Sequence, residues 1–212
     1  LDTAYALNVV PARFRELGLD EIDTLFAMAR GVQNEKYDLK ALDMKKWFNT
    51  NYHYIVAEIE ESCEIKPNSR KLVNEYLEAK AIGIETKPVI IGPFTFLKLA
   101  KIRGGKSCEE YAEKTAEAYA EIVRELADAG GKWIQIDEPF LVTELQAEDI
   151  KLFKTLYSKL LSKKSGIKIL LQTYFGDVRE SYQEITELDF DGIGVDFIEG
   201  VKNLELIKEY GF

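Results

Sequence analysis

The chain has 212 residues, 46% of them apolar and 31% charged, which suffices for one sizeable hydrophobic core and for a single α/β domain. A formal charge of −9 argues against nucleic acid or an anionic membrane as a general partner, and no apolar run is long enough to span a bilayer. Cys63 and Cys108 lie far apart without a disulfide framework, which points to a reducing cytoplasm.

Residues 1–18 are mixed, punctuated by Pro11 and Gly18. From Asp20, a suitable N-cap, the apolar positions Ile22, Leu25, Phe26, Met28 and Ala29 predict a helix that ends near Arg30-Gly31. Residues 32–46 read as a polar loop leading to a strand at about 52–56. Pro67-Asn68-Ser69 then opens a helix carrying Leu72, Val73, Tyr76, Leu77 and Ala81, and residues 87–92 form a short buried strand. Ser107 and Glu110 have capping-box spacing and start a long helix to about Ala129, stopped by Gly130-Gly131. Strands are predicted at 132–137, 167–173 and 192–196, and helices at 147–163 and 201–210. Asp177, with Glu180 in the reciprocal position, is expected to cap a short helix.

These elements make five strand–helix units whose strands are mostly apolar on both faces, the pattern of a parallel sheet covered by helices. No G-x-G-x-x-G fingerprint follows the first strand, so a dinucleotide-binding sheet has no positive support. The expected fold is α/β, a (β/α)8 barrel of TIM type that is incomplete, with about five of its units present. Polar groups gather where its strands end: His53, Thr95, Gln135, Asp137, Glu138, Gln172, Thr173, Tyr174 and Asp196. The chain starts without Met and stops at Tyr210-Gly211-Phe212, where another strand would be due, so it is expected to be a fragment.

Trp133 to Pro139 is the sharpest strand end. Period two puts Ile134 and Ile136 on one face and Gln135 and Asp137 on the other, and Pro139 is expected to end the strand with Asp137 and Glu138 exposed at its tip. The pair reads either as an acid/base or ligand-orienting set or as a buried polar network that fixes the barrel top. Gln172-Thr173-Tyr174 repeats the design on another strand. Lys98, Lys101, Arg103 and Lys106 reverse the local charge sign, giving either an anion-binding loop or a solvated turn. Gly104-Gly105-Lys106-Ser107 is not a phosphate loop, because the upstream glycine it requires is Ala100. His53, Cys63 and Cys108 are the only soft metal ligands, and their spacing predicts no metal site within the chain. Lys45 to Val56 mixes lysines, aromatic rings and amides, a composition of either a binding surface or an aromatic packing corner.

Lys46-Trp47-Phe48-Asn49-Thr50-Asn51-Tyr52-His53-Tyr54-Ile55-Val56, followed by Glu58, closely resembles a motif in the N-terminal half of cobalamin-independent methionine synthases. Gly92 to Leu97, Ile134 to Pro139 and Leu171 to Gly176 are similar to later blocks of that family, in the same order. One departure is Ala57, where the family has proline. The resemblance implies a methyltransferase of methionine biosynthesis that moves a methyl group from 5-methyltetrahydrofolate polyglutamate to homocysteine. It implies two facing barrels, with the catalytic zinc bound by a C-terminal barrel outside this chain, and no cobalamin. Residues 1–212 would be part of the N-terminal barrel, docking the catalytic barrel. Lys46 would hold the folate polyglutamate tail, with Lys98, Lys101, Arg103 and Lys106 as further contributors, and His53 a supporting group. Two other functions stay open, a non-catalytic binding or assembly module derived from the duplicated barrel and a free-standing methyltransferase of the same superfamily.

Overall fold

The structure is a computed structural model that describes residues 1–164 and 166–211. Three short helices open the chain, α1 (Asp2–Ala6), α2 (Ala12–Arg15) and α3 (Glu21–Arg30). Two hairpins follow, β1 (Val32–Gln33) with β2 (Asp38–Leu39) and β3 (Met44–Lys46) with β4 (His53–Ile55), and then β5 (Glu58–Ile59). Thereafter strands and helices alternate: α4 (Arg70–Ala81), β6 (Val89–Ile91), α5 (Pro93–Leu99), β7 (Lys101–Ile102), α6 (Cys108–Asp128) and β8 (Trp133–Asp137). The last elements are α7 (Ala147–Leu161), β9 (Lys168–Gln172), α8 (Tyr182–Thr186), β10 (Gly192–Gly194) and α9 (Asn203–Tyr210). The further strand expected beyond Tyr210-Gly211-Phe212 lies outside the described residues.

Four strands form one parallel sheet in the order β10-β9-β8-β6. Its register aligns Val89, Gln135, Leu170 and Gly192 in one row and Ile91, Asp137, Gln172 and Gly194 in the next row towards the carboxyl ends. The alternate positions Ile90, Ile134, Ile136, Ile169 and Leu171 are buried in the main core with the apolar stripes of α6 and α7. In α7 that stripe is Leu152, Phe153, Leu156, Tyr157, Leu160 and Leu161, the three-and-four spacing of a helix packed on one face. Full burial of each such aliphatic or aromatic side chain is worth about 1.5–3 kcal/mol. The two faces of the sheet therefore differ. The helix-covered face is apolar and closed; the other carries Gln135, Asp137 and Gln172, which are only partly buried.

Two of the predicted caps form. Asp20 accepts a hydrogen bond from the Asp23 N–H at 2.8 Å, and Ser107 and Glu110 make the reciprocal box at the start of α6. Three local expectations change. Residues 32–46 are no simple loop: Asn34 Oδ1 accepts from the N–H groups of Lys36 and Tyr37 and turns the chain between β1 and β2. The strand expected at 52–56 does not join the parallel sheet. It pairs antiparallel with β3, with Met44 opposite Ile55 and Lys46 opposite His53, and a pocket of about 90 Å³ is lined by its Tyr54 and Ile55 and by Ile91 of β6. The cause is local, because Thr50 Oγ1 donates to the Trp47 carbonyl at 2.6 Å and accepts from the Tyr52 N–H at 3.1 Å, closing a tight turn. Finally, Asp177 caps no helix, since Arg179 engages it at 2.5 Å and α8 starts later, after Ser181.

Candidate functional site

Parallel strands deliver their following loops to one end of the sheet, and the polar residues of this chain collect there. Glu138, directly after β8, is fully buried. Its Oε1 accepts from the Phe94 N–H at 2.9 Å and the Tyr157 hydroxyl at 2.6 Å, and its Oε2 accepts from the Thr95 N–H at 2.6 Å. Phe94 and Thr95 lie in the first turn of α5, where helical N–H groups lack partners in their own helix and the helix dipole favours a negative charge. Gly92 makes the approach feasible, because a Cβ there would collide with the Glu138 carboxyl. Burial pushes this carboxyl up to about 7, against the pull of its hydrogen bonds. The expectation that both carboxylates stand exposed at the strand tip is corrected for Glu138: it caps α5 from the next strand, and the buried-network reading describes it.

Asp137 points to the other face of the sheet and is only partly buried. It accepts from Gln135 Nε2 at 2.7 Å and from the Tyr174 hydroxyl at 3.2 Å. Burial raises this carboxyl, with the two hydrogen bonds pulling the other way. Gln172, in the same row, donates to the Thr173 carbonyl at 2.8 Å, and a Cβ at Gly194 would run into its side chain. The adjacent acidic residues thus divide, one turned into the core and one towards the open face.

The β3–β4 hairpin reaches this end of the sheet. Trp47 packs edge-on against Phe48 at 4.9 Å and against Tyr54 at 5.4 Å, and Phe48 meets Phe175 at 5.8 Å between ring centroids. Phe175 in turn packs on Tyr174 at 4.7 Å. Asn49 Nδ2 donates to Glu199 Oε2 at 2.7 Å. Both residues of the Phe48–Phe175 contact have positive φ, 49° and 74°, a conformation that costs a bulky side chain roughly 1–3 kcal/mol. His53, the single histidine, is exposed on β4 and belongs to the hairpin rather than to a strand end of the parallel sheet.

The five cations singled out by the sequence do not share one environment. Lys46 is exposed on β3, and among the described residues no carboxylate lies within ion-pair distance of it. Lys98 pairs with Asp149 at 2.5 Å, Lys101 with Asp43 at 2.6 Å, and Arg103 with the buried Glu58 at 3.0 Å. Arg13 holds the same Glu58 at 2.9 Å. Lys106 lies over the Tyr111 ring at 5.6 Å. Three of the four basic residues around α5 and β7 are therefore occupied with joining elements of the fold, and Lys46 is not.

Among the described residues the donors do not come together as a catalytic zinc would require. His53 is exposed on the hairpin, Cys63 and Cys108 are free thiols whose ionisation burial disfavours, and among the described residues no three His, Cys, Asp or Glu side chains converge. No described helix is long and apolar enough to cross a membrane. The sequence reading did not foresee α5 or the capping role of Glu138. The signal for α5 was Gly92-Pro93, since proline suits the first position of a helix.

The family described as "Cobalamin-independent synthase, N-terminal domain" matches residues 1–212. A 5-methyltetrahydropteroyltriglutamate–homocysteine methyltransferase of Lactococcus lactis subsp. cremoris (strain SK11) is 53% identical over 212 residues, covering 100% of this chain and 28% of the relative. Its counterpart from Bifidobacterium animalis subsp. lactis (strain AD011) is 50% identical over 217 residues, again with 28% of the relative covered. Among solved structures, the putative vitamin-B12 independent methionine synthase from Listeria monocytogenes superposes with a TM-score of 0.55 at 17% identity, covering 63% of this chain and 46% of that one; the likeness is one of fold. The chain thus spans little more than a quarter of the length of the relatives it matches. Its parallel sheet and helices are of the (β/α)8 barrel type, and with the match running from residue 1 to residue 212 the chain belongs to the cobalamin-independent methionine synthase family, as sequence of its N-terminal domain.

Proposed function

We propose that this chain is part of the N-terminal barrel of a methyltransferase that transfers a methyl group from 5-methyltetrahydrofolate polyglutamate to homocysteine, forming methionine in the cytoplasm. Its own task is to bind the polyglutamate tail of the folate and to dock the catalytic barrel. Zinc would be held outside this chain, where it would activate the homocysteine thiol, and cobalamin takes no part.

The observation that carries this reading is the contrast among the cations. Lys46 occupies the family motif, projects from a hairpin anchored beside the strand ends, and has no carboxylate partner among the described residues. An unpaired ammonium near an open polar face suits a chain of carboxylates, because a ligand carboxylate meets no internal competitor. Lys98, Lys101 and Arg103 would contribute only by exchanging Asp149, Asp43 or Glu58 for the ligand, and Lys106 would add charge at longer range.

Lys46→Ala in the intact protein is expected to weaken a polyglutamylated folate about five- to tenfold, near 1 kcal/mol as for an exposed charge pair, while the monoglutamate is almost unaffected. Titration calorimetry with the two ligands measures the difference. Equal losses would remove Lys46 from the tail site.

A further inference from the structure

Asp196, a strand-end residue without a part in the tail site above, lies where two contacts to the hairpin meet. Its Oδ2 accepts from the Phe175 N–H at 3.0 Å, and its Oδ1 accepts from the N–H groups of Ile198 at 2.7 Å and Glu199 at 3.1 Å. One carboxylate therefore fixes the backbone of both residues that hold the hairpin tip: Phe175, whose ring meets Phe48, and Glu199, which accepts from Asn49. Burial acts to raise Asp196, but the backbone donors of Ile198, Glu199, Phe175 and Gly200 outweigh it and leave the carboxyl below its ordinary value. It therefore stays ionised, as this acceptor role requires, in neutral solution.

The tip needs such a hold. The hairpin is a two-stranded sheet separate from the parallel one, and such a unit is at best marginally stable alone. Phe48 and Phe175 adopt left-handed backbone conformations at the point where they touch, and side chains of this size keep such conformations only where the surroundings impose them. Phe48 and Phe175 touch, and the polar ties flank that contact, one from Asp196 to the Phe175 N–H and one from Glu199 to Asn49, the residue after Phe48; together these are the parts of a latch.

We propose that Asp196, Phe175 and Glu199 are positioning residues that latch the β3–β4 hairpin across the end of the parallel sheet and so fix where Lys46 presents its ammonium. They act through the hairpin and do not touch the ligand. The consequence for ligand preference rests on the reading of Lys46 as a tail-binding residue, whereas the latch itself does not.

The test combines Phe175→Leu, which removes the ring contact, with Glu199→Ala, which removes the Asn49 tie, each alone and together; Phe175→Tyr serves as the conservative variant. Amide hydrogen exchange is followed at Trp47 and Thr50, whose N–H groups donate to Tyr52 and Trp47 carbonyls at 2.7 Å and 3.1 Å. In the double variant these amides are expected to exchange at least tenfold faster while those of α6 and α7 are unchanged, and Phe175→Tyr is expected to restore protection. In the intact protein the preference for polyglutamate over monoglutamate falls about threefold in the double variant. Unchanged hairpin exchange overturns the latch, whatever Lys46→Ala does to tail preference. Faster hairpin exchange with no loss of preference in Lys46→Ala upholds the latch and refutes the tail reading instead.

Discussion

Glu138 and Lys46 each stand at the end of a strand beside aromatic residues, and the fold uses their charges in opposite ways. Glu138 is enclosed, and its two carboxyl oxygens accept three hydrogen bonds from α5 and α7. Lys46 is exposed and, among the described residues, has no ion-pair partner. A buried charge is tolerated only when its hydrogen-bonding capacity is met, so Glu138 has little left to offer a ligand. An exposed cation makes little difference to folding and retains its capacity for an incoming anion. Hydrogen-bonding capacity is spent within the fold at one strand end and left open at the other, although both occur in recognisable motifs.

The largest expected effect breaks the first half of this comparison. Glu138→Ala leaves the N–H groups of Phe94 and Thr95 and the Tyr157 hydroxyl without their acceptor, and is expected to cost about 3–5 kcal/mol in urea denaturation, the range for breaking a buried charged network. A loss below about 1 kcal/mol would show that water or a neighbouring group replaces the carboxylate.

A smaller effect concerns pH. The folded carboxyl of Glu138 lies near 7, above the ordinary 4.5, so between these values the folded state binds more protons than the unfolded one. Its contribution to stability is full below the unfolded value and is lost as pH rises through about 7, by up to about 3 kcal/mol. Stability measured from pH 5 to pH 8 should therefore decline more steeply in the wild type than in Glu138→Gln, which cannot titrate. Parallel curves would assign the slope to other groups.

The smallest effect sharpens the second half. Lys46→Ala is expected to change folding stability by less than about 0.5 kcal/mol while altering tail preference as described above. A substantial loss of stability in thermal unfolding would show that Lys46 supports the hairpin and that the contrast with Glu138 is overstated.

Particular residues explain how far the sequence could be read. Ile90, Ile134, Ile136, Ile169 and Leu171 are apolar at alternating positions because their strands bury one face against helices, and that period is visible without coordinates. The caps at Asp20 and Ser107 were equally legible, since a cap is formed by residues within three positions of each other. The family motif around Lys46 was also evident, being a continuous stretch.

What stayed hidden depended on long-range contacts. Asp137 and Glu138 are neighbours in sequence, and only the approach of Phe94, Thr95 and Tyr157 decides that the second is enclosed while the first faces Gln135 and Tyr174. The basic segment from Lys98 to Lys106 looked like a free patch because Asp149, Asp43 and Glu58, which engage three of its cations, lie at least forty residues away in the chain. Local periodicity and side-chain chemistry thus determined the longer helices, the strands of the parallel sheet and the fold class, and the continuous motifs identified the family. Tertiary structure alone decided which charged groups are spent on folding and which remain available, because hydrogen bonding and desolvation depend on neighbours in space, whatever their separation along the chain.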